Sequence, residues 1–205
     1  MTGDLWYGLA AEVEQVDVQA GRALRKALAG HAAPMRVQVA GRAGTGRAVV
    51  EARVREALST EADAGPLVVR VTVDAPDAPD PVLDADLVVY VVPRRLEPAV
   101  AHPADRAALA AVDPRRVVLV VSGEGDVAEY ATVVDAMGIA REQAVALGDD
   151  PLLGERIAAR TALARDLRDE ELARVAAGIP ASPRVRELVE QVLDLVNPAC
   201  APGQW

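Results

Sequence analysis

The chain has 205 residues, with 22 basic against 31 acidic side chains and a formal net charge of -9. That balance lacks the basic face a nucleic-acid partner needs, and the arginines are scattered among acids, which leaves no polybasic membrane patch. Half the residues are apolar, Phe is absent, and Ala and Val dominate, so the composition predicts one large domain, or a domain with appendages, packed from small and branched side chains.

Residues 4–30 read as one amphipathic helix. Leu5, Leu9, Val13, Val16, Ala20, Ala23, Leu24 and Leu28 recur at helical spacing, Gly30 follows as a C-cap, and Trp6 and Tyr7 are expected to pack the helix on the main domain. The opening segment has neither the basic region nor the apolar core of a signal peptide. No apolar run approaches the roughly 20 residues of a spanning helix, so a cytoplasmic protein without direct membrane insertion is expected. Met35–Ala40 is the first strand and Gly46–Leu58 the next helix, followed by a polar loop over 59–66 with Thr60 as its one threonine. Leu67–Asp74 reads as a second buried strand. The segment DAPDAPDPVLD over 74–84 is too rich in proline for a helix. Asp86–Val92 is a third strand, Pro103–Val112 a short helix, and Arg116–Val121 a fourth strand closed by SGEGD. Val127–Met137 is a helix and Glu142–Leu147 a fifth strand. Pro151–Ala177 and Ser182–Val196 are helices separated by Gly178-Ile179-Pro180, and the tail NPACAPGQW is irregular.

Strands that are continuous apolar runs, alternating with helices, predict an α/β fold. It has three layers, with a mostly parallel sheet of about five strands covered on both faces. The expected partition is an N-terminal helix packed on the domain (1–34), the α/β domain (35–165), and C-terminal helices with a tail (166–205). Ligands of such sheets sit at the carboxyl ends of the strands. Chemistry is therefore sought at Gly41–Gly46, Asp74–Asp77, Pro93–Arg95, Ser122–Asp126 and Leu147–Asp150.

The first of these loops is the richest. Gly41, Gly44 and Gly46 lie between a strand and a helix, which places backbone N–H groups and a helix N-terminus where a phosphate can be held. The run GRAGTGRA from Gly41 to Ala48 has the frame G-x-x-x-x-G-K-[ST] of a phosphate-binding loop. Arg47 stands in the place of the lysine and Ala48 in the place of the metal-binding hydroxyl. Lys26 is the only lysine and Asn197 the only asparagine, so no motif that needs a lysine elsewhere can exist.

From Met35 to Arg165 the loops together resemble the P-loop GTPase fold. Asp74-Ala75-Pro76-Asp77 is similar to the D-T-P-G turn that serves magnesium and senses the terminal phosphate, and Asp86–Val92 to the strand after it. Ser122–Asp126 stands where the guanine-reading N-K-x-D belongs, and Ala146-Leu147 where the S-A-L turn belongs. Each element departs from the pattern. Arg47 is bulkier and forked compared with lysine, Ala48 removes a magnesium ligand, Asp77 sets a negative charge where a backbone N–H is needed, and Ser122-Gly123 cannot read guanine. In the family, lysine and magnesium neutralise the charge that develops in phosphoryl transfer. Their loss removes several kcal/mol on the scale of a few kcal/mol for one electrostatic group. The resemblance therefore implies a catalytically inactive, GTPase-like domain (a pseudo-GTPase with a degenerate Walker A loop) that takes no cofactor or metal and works as a protein-interaction or regulatory module. Its partner would be another protein, and the helices over 4–30 and 182–196 would serve as partner or oligomer surfaces. Any residual binding of GTP or GDP would fall to Gly41, Gly44, Thr45, Gly46, Arg47 and Asp74.

Other readings stay open. The same half reads as a Rossmann-like dinucleotide domain for NADP, with a glycine-rich turn and Asp74 at the end of the next strand. Against it, Asp74 lies 28 residues past Gly46, farther than the usual ~20, and the spacing is not G-x-G-x-x-G. The glycines also suit a tight turn with no ligand. Asp74, Asp77, Asp80 and Asp84 are a candidate metal cluster, though Pro/Asp stretches are usually solvated loops. His31 and His102 are read as loop residues without ligand spacing, and Ser122 is outside any nucleophile elbow. Arg94-Arg95 and Arg115-Arg116 read as solvated surface, the first pair also suiting an anion or a partner carboxylate. Cys200, the only cysteine, excludes an internal disulfide.

Overall fold

The structure, a computed structural model, describes residues 2–59, 65–179 and 182–196. Thr60, Cys200 and the tail from Asn197 lie outside the described residues. The chain divides into two units, one formed by Pro34–Ala164 and one by Met1–Ala33 together with Arg165–Trp205. The two flanks of the α/β unit thus belong to a single helical unit.

In the α/β unit the valine-rich runs become β1 (Arg36–Gly41), β2 (Leu67–Arg70), β3 (Leu87–Pro93), β4 (Val117–Ser122) and β5 (Ala144–Ala146). All pairings are parallel, in the order β2-β1-β3-β4-β5. A run without polar alternation must be buried on both faces, and β3 is: Leu87 to Val91 are fully buried. Each such side chain contributes about 1.5–3 kcal/mol. On one face Val50, Val54 and Leu58 of α3 (Arg47–Leu58) and Leu153 and Ile157 of α6 (Asp150–Gly178) pack on Val37, Val39, Val89 and Val118. On the other, Leu109 of α4 (Pro103–Ala110) and Val133, Val134 and Met137 of α5 (Val127–Met137) pack on Val88, Tyr90 and Leu119. The unit is thus a three-layer α/β fold with five parallel strands. Its order is that of flavodoxin-like doubly wound sheets, with the switch point between β1 and β3, whereas two-halved dinucleotide folds run 3-2-1-4-5-6.

The expectation that Leu67–Asp74 forms a buried strand needs correction. Regular pairing ends at Arg70, although ladder bonds continue from the Val71 N–H to the Val39 carbonyl and from the Val73 N–H to the Gly41 carbonyl, both 3.0 Å. Leu67 and Val69 are 57% and 43% exposed. The cause is the connection to β3. Pro76, Pro79 and Pro81 forbid a helix there, as the sequence predicts, and none forms over 71–86. In place of a helix, the buried Gln38 side chain holds the segment, donating to the Val82 carbonyl at 3.0 Å and accepting from the Ala85 N–H at 3.2 Å.

The N-terminal helix is also corrected. It is two helices, α1 (Thr2–Val16) and α2 (Val18–Ala32). Asp17 between them is extended, and its carboxylate accepts from the N–H groups of Gln19 and Ala20 at 2.9 and 3.0 Å, the N-cap geometry that starts a new helix. Apolar periodicity runs through the break and hides it. Gly30 lies inside α2, and its carbonyl accepts the Ala33 N–H that ends the helix. Trp6 is buried with Leu9, Val13 and Leu24, against Leu172 of α6 and Val185 and Val189 of α7 (Pro183–Val196), so α1 buries its apolar face within the helical unit. Tyr7 is half exposed. Across the same unit His31 Nε2 lies 2.6 Å from Asp169 Oδ1, and Arg168 donates to the Ala33 carbonyl at 2.6 Å. Among the described residues no helix is long and apolar enough to cross a membrane.

The hairpin of α1 and α2 depends on Gly21. A Cβ there would sit 2.5 Å from Glu14 Cα and Cβ. Gly21→Ala gains up to ~1 kcal/mol of helix propensity but incurs ~1–3 kcal/mol of overpacking. Urea unfolding is expected to show a lower midpoint for Gly21→Ala and a higher one for Gly30→Ala, where no atom lies within 4 Å of the new methyl group.

Candidate functional site

The carboxyl ends of β1, β3 and β4 place Gly41, Pro93 and Ser122 along one edge, through the register Gly41 with Val91 and Pro93 with Ser122. The turn from β1 into α3 takes φ of 148° at Gly41, 77° at Gly44 and 85° at Gly46, values that exclude side chains at low cost. A Cβ on Gly41 would collide with the Val91 carbonyl and lie 3.1 Å from Thr45 Oγ1 and 3.4 Å from Arg47 Cδ. Gly41, Thr45 and Arg47 thus lie together. Gly46 leans toward the next strands, its Cβ position 3.7 Å from Leu147 Cδ2 and 3.9 Å from Ser122 Cβ. Four of the five expected loops therefore converge. Asp74 stands one residue past the Val73 to Gly41 bond, with φ 55°, and its N–H donates to Asp80 Oδ1 at 2.7 Å.

The side chains of this edge are turned onto the protein itself. Thr45, buried, donates its hydroxyl to the Arg42 carbonyl at 2.9 Å. Arg47 Nη1 donates to the Val71 carbonyl and, at 2.7 Å, to Thr72 Oγ1. Burial holds the Arg47 guanidinium below its ordinary value, and the charge of Arg70 adds to the shift. Ser122 donates to the Val92 carbonyl at 3.3 Å. What remains open is backbone. A Cβ on Gly44 would meet nothing within 4 Å, and α3 has no side-chain cap at Gly46.

Beneath the loop lies a group that the sequence reading does not single out. Asp105, on the first turn of α4, is 2% exposed. It accepts from Arg42 Nε at 3.0 Å through Oδ2 and from the Tyr90 hydroxyl at 3.0 Å through Oδ1. The glycine loop, the central strand and α4 are joined by one buried carboxylate. Tyr90 was legible as the one hydroxyl within the otherwise apolar β3. Asp105 was not, because an acid in a first helical turn reads as a macrodipole partner. The cavity beside it, bounded by Val92, His102, Asp105 and Met137, measures about 10 Å³, room for one water.

The remaining candidates separate. Arg94 is not solvated surface. Its side chain is 11% exposed, donates to the Asp126 carbonyl at 3.0 Å and lies 3.4 Å from Glu129 Oε2. His31 is in the last turn of α2, and His102 is the N-cap of α4, accepting from the Ala104 N–H at 3.3 Å. Arg36 pairs with Asp84 at 2.5 Å, which lowers the Asp84 carboxyl through that hydrogen bond. Among the described residues no three His, Cys, Asp or Glu side chains are grouped to hold a metal ion. The chain matches no protein-family model, and no curated protein matches it in sequence.

Removing Asp105 leaves Arg42 and Tyr90 without their shared partner. Asp105→Ala is expected to cost ~3 kcal/mol, the low end for a broken buried pair, because the Arg42 side chain keeps 21% exposure. Burial first, and then the Asp105 charge, push the Tyr90 phenol above its ordinary value. The folded state thus holds that proton more tightly than the unfolded chain. The stability this gives is complete below the unfolded tyrosine value of about 10 and is lost as pH rises above it. Tyr130, raised by burial as well, adds to the same slope. Tyr90→Phe is expected to be less stable than the native chain by ~1 kcal/mol near neutral pH, with the gap narrowing above about pH 10. Urea titrations on both sides of that pH check it.

Proposed function

We propose that the chain is a cytoplasmic, catalytically inactive GTPase-like module that acts through another protein and takes no cofactor. One observation carries the reading: Thr45 and Arg47 of the glycine loop, and Ser122 beside it, are already bonded to the protein's own atoms. Arg47 occupies the lysine position of the loop frame, yet its guanidinium is committed to Val71 and Thr72. The Thr45 and Ser122 hydroxyls face backbone carbonyls. Ala48 offers no metal ligand, and Asp77, with φ 61°, brings a carboxylate where the resemblance would call for a backbone N–H. A phosphoryl-transfer site needs cationic groups free to meet charge that develops on the transferred group. The strand order weighs against the dinucleotide alternative.

A second reading is favoured by the uncapped start of α3 and the open side of Gly44. The loop N–H groups alone would then hold a phosphate-class anion. Isothermal titration with GTP, GDP, ATP and NADPH, each with and without magnesium, separates the two. The expected result is no heat with any of them. A micromolar ligand present at about 100 times its Kd would stabilise the fold by ~2.7 kcal/mol, so thermal unfolding reads the same question independently. Binding of GTP or GDP overturns the inactive module, and binding of NADPH alone moves the reading to the dinucleotide class.

A further inference from the structure

The sheet face beside β2 lacks the helix that a doubly wound connection normally lays there. Leu67 and Val69 alternate with the buried Val68, which faces α3, so they point to the opposite face. That face is covered by α4 and α5 over β3 and β4. Over β1 its cover is the strap held by Gln38, whose Val82 side chain is 77% exposed. Leu67, Val69 and Val82 form an apolar strip on the site of the missing crossover helix.

The border of the strip is acidic. Five aspartates fall between 74 and 86. Asp84 is tied to the Arg36 side chain and Asp86 to the Arg36 N–H, while Asp74, Asp77 and Asp80 are exposed on the same strap. A second copy laid on this strip would bring the same acids face to face, which like-charge repulsion opposes. An apolar strip flanked by carboxylates fits a helix with an apolar stripe and basic flanks.

We propose that this strip docks a basic amphipathic helix of a partner protein, supplying in trans the layer that the 71–86 connection omits. The inference gives the interaction reading a surface, and it holds whether or not the glycine loop binds an anion.

A photo-crosslinking side chain placed at Val69 of the full chain, with Val49 on α3 as the control position, tests it in the cells that make the protein. The expected product is one crosslinked peptide, specific to Val69, from a segment with net positive charge and apolar residues at helical spacing. That segment, synthesised, should bind the native chain and lose at least about tenfold affinity to Val69→Glu. The exposed position of Val69 lets the variant fold, and circular dichroism verifies that it does. Crosslinks to a second copy, to an acidic or strand-forming segment, or to nothing would overturn the proposal. The titrations above decide the nucleotide question on their own. Nucleotide heat with a Val69 crosslink removes the inactive-module reading and keeps the surface. Silence in both removes the surface alone.

Discussion

Burial of the central strands on both faces is the constraint from which the rest follows. A strand with helices above and below has no water to satisfy its backbone, so every N–H and carbonyl must enter the ladder, and every polar side chain within it must find a protein partner. Tyr90, fully buried in β3, finds Asp105, and Gln38 in β1 finds the strap. These two polar side chains set where other parts of the chain go. Tyr90 and Arg42 together fix α4 under the glycine loop, and Gln38 holds an otherwise helix-free connection on the sheet.

The same constraint explains why the carboxyl edge is closed chemically yet shaped like a binding edge. Strand ends leave the protected interior there, so side chains regain freedom to choose between solvent, a ligand and the protein. Arginine at position 47 chooses the protein. A guanidinium carries five donors on a planar fork, and the ladder beyond β2 offers two acceptors within its reach. A lysine has a compact head and a strong preference for hydration or a phosphate. An arginine at position 47 thus differs from a lysine in the partner it takes as well as in shape.

The layers of the fold were legible in the sequence because they rest on local patterning. Unbroken apolar runs gave the strands, and prolines at 76, 79 and 81 gave the helix-free connection. The glycine turn was legible because positive φ leaves a residue signature. The helical hairpin was not, since Asp17 interrupts the backbone without interrupting the apolar period, and an aspartate inside a helical pattern carries no mark of being a cap. The Asp105 cluster joins residues 42, 90 and 105, distant in sequence and brought together by the pairing of β1 with β3 and the packing of α4 on that face. The half-exposed β2 escaped for a related reason. Whether LVVR is covered depends on a connection that returns much later in the chain, and the four residues themselves cannot encode it.

The two ends of this sheet therefore answer different questions. At the carboxyl edge Thr45, Arg47 and Ser122 are bonded to the protein's own atoms, so a charged ligand must first compete with hydrogen bonds already formed. Beside β2 the chain leaves apolar area uncovered, and nothing internal offsets the free energy that area would yield on burial. A fold that closes its chemical edge and leaves open one sheet face has shifted its unspent interaction free energy from electrostatics to apolar contact. The proposed docking would use the segment that resembles the D-T-P-G turn, so that Asp74, Asp77 and Asp80 would form the acidic border of an apolar strip.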